Sequence, residues 1–465
     1  MSFCAVNEDG LAMLKALTKQ NTPVILLPMH KSHVDYLLVT YVLYAHHLFP
    51  PMIIAGDNLN IPLVGPVLRR SGAVFIRRAF ANDKLYTAIF NQYIAVLLQA
   101  GFSMECFIEG LRVCSWTRLK GTRSRSGKLK NPKTGFLKVL VDLMGSGRLR
   151  RDLMLVPVAI SYDQVIEGAA FVNEMLGEKK QKESLMGLLN AANQVLRLNF
   201  GSIDVHFCQP ISLVKLMYTV QPYMAPAVVP VSERDSAAGT ETAADRTAEP
   251  PEQFEAFNAL SEKERRRFVL GVAHRVMYEM NLCGTTTATS IVCTILLTTP
   301  QRGIHIDQVI ARTEWLRRQV VLRGGRVAHL FETESTADVV NRALTVVANL
   351  VKRENSIIYG YKQSESLQLT FYRNQLSEDV WAVMPAVHIF VSECLIAVAL
   401  AAEFNDDPRL KELPRGVATV MAVEKSRLLR SVRFVSQLLK LEFVYKPAPD
   451  FEDNFQRTIE KMTQR

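Results

Sequence analysis

The stretch PVILLPMHKSHVDYLLVTYVLY, residues 23–44, decides how the chain is read. A short apolar run bounded by prolines is followed by a polar break and then by an apolar run of helical length. That pattern predicts strand, turn and helix. Two histidines and an aspartate stand in the break, where burying an unpaired charge would cost several kcal/mol. His30 falls in the turn and Asp35 just inside the helix. On a regular helix, residues five apart diverge by about 140°, so the His30 ring reaches the carboxylate only from the loop. A histidine held by a carboxylate is a good general base near neutral pH. A capping or core histidine is the competing reading, and His33 could equally be the buried partner.

Outward from this unit, apolar runs at 51–56, 72–78, 103–110 and 153–162 read as further buried strands, and 202–213 alternates like another. Helical patterns at 84–98 and 136–143 lie between them. The fold class is therefore α/β, with a layered sheet and helices over residues 1–230. Residues 231–253 are rich in Ser, Thr, Ala, Glu and Pro with almost no large apolar side chain, the composition of a disordered linker or surface loop. From 254 to 465 the spacing is mainly helical. The most apolar stretch, 380–402, has the length to cross a bilayer. It also carries Pro385, His388 and Glu393, and ionisable groups are costly at membrane depth, so a buried core helix is expected.

The chain has 465 residues and a net charge of +10. That charge favours anionic partners: nucleic acid, phosphorylated metabolites, coenzyme A or an acidic lipid surface. Seven cysteines lie scattered without CxxC or Cys/His metal spacing, which argues against a disulfide framework and a zinc site. The first residues lack the pattern of a secretory signal or an arginine-rich presequence. The last three are not a peroxisomal targeting ending. A basic run, Arg118, Lys120, Arg123, Arg125, Lys128, Lys130 and Lys133, suits coenzyme A phosphates or an anionic membrane face, with a solvated loop as the plain alternative. The aromatics that would stack on single-stranded bases are missing after Trp116, and no nucleic-acid partner is expected.

In order and character, the opening unit, GAVFIRRAF (72–80), FIEG (107–110) with GTRSRSGKLKNPKTG (121–135), and LVPVAISYD (155–163) resemble the four motif blocks of the glycerol-3-phosphate and dihydroxyacetone phosphate acyltransferase family. The stretches at 58–90, 199–213 and 372–376 are most similar to its dihydroxyacetone phosphate branch, which starts ether-lipid synthesis. The resemblance implies an acyltransferase-type mixed sheet flanked by helices, followed by the helical region. It also implies acyl transfer from acyl-CoA, a co-substrate, to the hydroxyl of dihydroxyacetone phosphate. Glycerol 3-phosphate is the rival acceptor.

In that scheme His30 is the base and Asp35 its orienter, with no acyl-enzyme, no metal and no other cofactor. Arg77 and Arg78 bind the acceptor phosphate, for which a guanidinium fork is suited. Glu109, Gly110, Thr122, Arg123 and Ser124 complete the acceptor site, and Pro157 stands on the acyl-CoA side. By itself a proline there suggests a sheet edge or strand end. Eleven residues, Leu111 to Gly121, separate FIEG from TRSRSGK where the family runs on directly. If they bulge outward, Gly121 takes the role of Gly110 and Arg123 still reaches the phosphate. If not, a non-catalytic form that binds acyl-CoA or a membrane is the alternative. The resemblance further implies a peripheral membrane surface, peroxisomal or at another intracellular membrane, and an ether-lipid pathway enzyme as partner.

Overall fold

The computed structural model describes residues 3–32, 34–57, 60, 62, 64–77, 83–109, 132–149, 151–165, 201–219, 254–298, 303–348, 351–360, 384–405, 423–439 and 451–463. The first half builds one eight-stranded sheet. Its strands are β1 (Phe3–Val6), β2 (Val24–Pro28), β3 (Met52–Gly56), β4 (Ala73–Ile76), β5 (Met104–Glu105), β6 (Met154–Tyr162), β7 (Ser202–Phe207) and β8 (Ile211–Ser212). The order is β1-β7-β6-β2-β5-β3-β4, with β8 also on β6. Strands β6, β2, β5, β3 and β4 run parallel, whereas β7 and β8 oppose β6. The expected mixed sheet is therefore present.

Helices α2 (Asp35–Ala45), α3 (Val64–Arg70), α4 (Lys84–Gln99) and α5 (Gly135–Gly145) connect the parallel strands, α1 (Glu8–Lys19) joins β1 to the oppositely directed β2, and α6 (Leu213–Tyr218) follows β8. Right-handed crossovers fix which face each one covers. The chain moves one way across the sheet from β2 through β3 to β4, so α2 and α3 share a face. It returns through α4 and α5 on the other. Packing agrees: Val39, Val42 and Leu43 of α2 join a core with Leu11, Leu14 and Leu17 of α1. Phe90, Ile94 and Leu98 of α4 join the opposite core with Leu137, Leu140 and Leu143 of α5.

Beyond residue 253 lie α7 (Glu255–Asn258), α8 (Glu262–Cys283), α9 (Ala288–Thr298), α10 (Ile306–Leu322), α11 (Leu330–Thr333), α12 (Thr336–Val346), α13 (Met384–Asn405), α14 (Lys425–Leu438) and α15 (Phe451–Thr463). They are joined by β9 (Thr285–Thr286), β10 (Ile304–His305), β11 (Arg326–Val327), β12 (Val351–Glu354) and β13 (Ile357–Gly360). This is the helical region expected. Ser261 and Glu264 form a reciprocal capping box that starts α8. Its Phe268, Val272, Val276 and Met280 complete the core on the α4 and α5 face of the sheet. Among the described residues no helix is long and apolar enough to cross a membrane. The 380–402 stretch lies largely in α13, with Val391, Leu395, Ile396 and Ala399 buried against α14 and α15. Its Glu393 accepts from Arg323 Nε at 2.8 Å.

Two readings of the strands need correction. The run at 103–110 is strand only over Met104–Glu105, because ladder pairing with β2 and β3 is confined to those two residues. The chain continues extended, and Cys106 N donates to Leu26 O at 3.0 Å. Pro157 is neither at an edge nor at a strand end, but inside the interior strand β6, paired in register with Leu27. Its other neighbour changes there from β7 to β8. Cys208 N still donates to Pro157 O at 2.9 Å. The donor that proline lacks therefore falls at a natural break in the ladder, which is why the interior tolerates it.

Candidate active site

Strand β2 ends at Pro28, and Met29 N makes its last ladder bond, to Val158 O at 2.9 Å. The next residues leave the sheet and wrap around the first residue of α2. Asp35 is fully buried and its carboxylate takes four donors. Oδ2 accepts from Lys31 N at 2.7 Å, from Ser32 N at 2.9 Å and from His30 Nδ1 at 3.1 Å. Oδ1 accepts from the Tyr162 hydroxyl at 2.5 Å. Its seat at the start of α2 also favours a negative charge. The expected pair thus meets as the loop argument requires, while His33 lies outside the described residues.

With Nδ1 donating to Asp35, the His30 ring carries its lone pair on Nε2. The Phe107 ring packs against it at 4.4 Å, and 23% of the His30 side chain remains exposed. His30 N donates to Glu109 Oε1 at 2.9 Å, tying the base to the chain that follows β5. A neutral imidazole held at one nitrogen and open to solvent can take a proton from a hydroxyl, the chemistry of a general base.

Strand register shows how the other expected residues are arrayed. Leu26 pairs with Glu105, Glu105 with Ile53, and Ile53 with Ala73. His30, Glu109, Asp57 and Arg77 follow the carboxyl ends of β2, β5, β3 and β4, the edge where ligands of open α/β sheets bind. Three strand spacings, about 14 Å, separate β2 from β4. Arg77 is 57% exposed and donates to Asp83 Oδ2 at 3.2 Å. Its guanidinium lies 4.6 Å from the Tyr86 ring centroid. The pair bond is therefore an exposed, weak one. Pro157 lies level with Leu27, three residues short of His30, and is buried. Arg78, Gly110, Gly121, Thr122, Arg123, Ser124, the basic run apart from Lys133, and the 111–121 insertion lie outside the described residues.

Four side chains around the pair had no role in the sequence reading. Tyr162, at the end of β6, is the most direct, since its hydroxyl holds Asp35 from a position 127 residues away. Phe107 packs on the base. Glu105 is fully buried, with neither carboxylate oxygen hydrogen-bonded among the described residues. Burial first, and then the charge of Asp35, push its carboxyl well above the usual range, which favours the protonated form. Lys31 is buried beside Glu109 and Asp35, and burial lowers its ammonium pKa while the two acids oppose that. One signal was available: Glu105, Phe107 and Glu109 alternate, so they share a face.

Burial holds the Cys4 thiol up to about 11 and that of Cys106 up to about 12, so neither is a thiolate near neutral pH. Among the described residues no group of three or more His, Cys, Asp or Glu could hold a metal ion.

Comparison with known proteins meets this geometry from the other side. Residues 11–161 match the family described as Acyltransferase, and residues 171–465 match the Glycerol-3-phosphate acyltransferase C-terminal region. The chain belongs to the glycerol-3-phosphate and dihydroxyacetone phosphate acyltransferase family. Within that family it is 30% identical over 99% of its length to mitochondrial glycerol-3-phosphate acyltransferase 1 of Rattus norvegicus, covering 54% of that protein. The Homo sapiens protein of the same name is 30% identical over 86% of the chain and is covered to 47%. Dihydroxyacetone phosphate acyltransferase of Oryctolagus cuniculus is 30% identical over 97% of the chain, which covers 60% of it. The chain thus spans about half to three fifths of the length of these relatives.

Proposed function

We propose that this chain transfers an acyl group from acyl-CoA to the hydroxyl of dihydroxyacetone phosphate, with His30 as general base. The observation that carries the reading is the His30 Nδ1 to Asp35 Oδ2 contact at 3.1 Å, on a carboxylate also held by Lys31 N, Ser32 N and Tyr162. The acceptor hydroxyl gives its proton to His30 Nε2 as its oxygen attacks the thioester carbonyl. The tetrahedral intermediate collapses with loss of the coenzyme A thiolate, which takes the proton back from the imidazolium. Asp35 stabilises that imidazolium and fixes the tautomer.

Arg77 binds the acceptor phosphate in this scheme after exchanging Asp83 for the ligand, and Arg78 and Arg123 join it. Glu109, already on the backbone of the base, orients the acceptor side together with Gly110 or Gly121, Thr122 and Ser124. Pro157 lies toward the acyl chain. The dihydroxyacetone phosphate assignment is supported by the likeness of residues 58–90, 199–213 and 372–376 to that branch. It carries with it a membrane surface at the peroxisome and an ether-lipid pathway enzyme as partner.

The test is turnover of palmitoyl-CoA with each acceptor separately. Higher kcat/KM on dihydroxyacetone phosphate supports the assignment, and preference for glycerol 3-phosphate overturns it in favour of the rival. A variant lacking residues 111–121 is assayed alongside. Equal activity shows that the insertion is tolerated, whereas activity only in the deletion shows that the chain as written is a non-catalytic form.

A further inference from the structure

The helix that carries Asp35 has an unusual outer face. From residue 36 to residue 56 the chain contains no Asp, Glu, Lys or Arg, yet the stretch is not all interior. Leu37, Tyr41 and Tyr44 project from α2 at helical spacing, and Phe49 follows it. Tyr44 is 72% and Phe49 81% exposed. A helix that is apolar beyond its first residue is normally buried all round. An exposed apolar patch of this kind marks an interaction surface.

Two further observations say what covers it. The exposed large side chains are chiefly tyrosine and phenylalanine, whose amphipathic rings suit the level of lipid headgroups. On the same face of the sheet α3 ends in Arg69 and Arg70, both exposed and without an ion pair among the described residues. Only Asp57 contributes an acid between Asp35 and Asp83. The surface is thus apolar and aromatic with cations beside it, the complement of an anionic bilayer.

We propose that the outer face of α2, with Arg69 and Arg70 of α3, docks this protein on an anionic membrane surface. This rests on the acyltransferase reading only for its purpose. Leu37 stands two residues past Asp35, so docking on α2 sets the catalytic edge at the bilayer, where a long acyl chain can pass into lipid without crossing water. The apolar stripe of α4, including Ile89 and Tyr93, lies on the opposite face. Arg77, stacked on Tyr86 in the first turn of α4, is already bonded to Asp83. The α4 stripe is not part of the docking surface.

The experiment is sedimentation of the full chain with vesicles of phosphatidylcholine, with and without phosphatidylserine. The unmodified protein is expected to bind the phosphatidylserine vesicles more tightly, and added salt to weaken that preference. Tyr41→Glu with Tyr44→Glu should lower partitioning about tenfold or more, with the thermal melt and turnover of soluble butyryl-CoA unchanged. Should that pair disturb folding, Arg69→Glu with Arg70→Glu should abolish the phosphatidylserine preference alone. Ile89→Glu should change nothing. Undiminished binding by both variant pairs, or equal loss in Ile89→Glu, overturns the proposal. Because sedimentation is read without turnover, an inactive protein that still docks through α2 would sink the catalytic reading and leave this one standing.

Discussion

His30, the proposed base, and Arg77, the proposed phosphate ligand, follow the carboxyl ends of β2 and β4, and they are held very differently. Asp35 is fully buried under four donors, and the His30 ring is fixed by Asp35 on one side and Phe107 on the other. Arg77 is more than half exposed and held by one exposed carboxylate and an aromatic ring. The first arrangement is preorganised, so little reorganisation accompanies proton transfer. The second has a replaceable partner, which suits a side chain that exchanges Asp83 for a substrate phosphate. On the proposed reading, the difference separates a part that performs chemistry from a part that captures and releases.

Breaking the rigid half should cost most. Asp35→Asn offers Nδ1 an amide in place of a carboxylate and leaves the imidazolium unsupported. A fall in kcat on the order of a thousandfold is expected, with KM for both substrates little changed. Equal loss through KM would assign Asp35 to substrate binding. Breaking the mobile half should read out elsewhere. Arg77→Ala should raise KM for the acceptor by about ten- to a hundredfold and leave KM for acyl-CoA alone, since a charge-assisted bond contributes about 1.5–3 kcal/mol. If only the melting temperature moves, Arg77 is a tie to α4 and no more.

Smaller effects sharpen the contrast. Tyr162→Phe removes one of the four donors, for an expected stability loss of about 1–3 kcal/mol and a several-fold drop in kcat. A wild-type kcat would make that hydroxyl purely structural. The smallest effect concerns Glu105. Its folded-state pKa is raised, so the folded protein binds the proton more tightly than the unfolded chain. Stability is then lost as pH rises above the unfolded value of about 4.3, until the folded pKa is reached. Glu105→Gln should flatten that decline and raise the melting temperature at pH 8 relative to the parent. A parallel decline in both proteins would mean that Glu105 is ionised in the fold.

What the sequence showed and what it hid divide along physical lines. Short-range patterns were legible: the apolar runs of β2, β3, β4, β6 and β7, the periodicity of α4 and α5, and the demand that His30 sit in a loop to meet Asp35. The edge strand β1 was missed because four residues, FCAV, carry too little pattern. Pro157 was misplaced because sequence cannot show that two successive neighbours, β7 and β8, leave a gap opposite one residue. Tyr162 and Glu105 escaped for a related reason. Their meaning comes from contacts made across the fold, and a tyrosine or glutamate in a strand has no local signature of what it faces.

The central claim is that the His30 imidazole, poised by Asp35, deprotonates the acceptor hydroxyl. It is tested most directly by His30→Ala in protein with an unchanged melting temperature, assayed with palmitoyl-CoA and dihydroxyacetone phosphate at saturation. The account predicts that kcat falls by about a thousandfold or more. Product formation at the parent rate would contradict it.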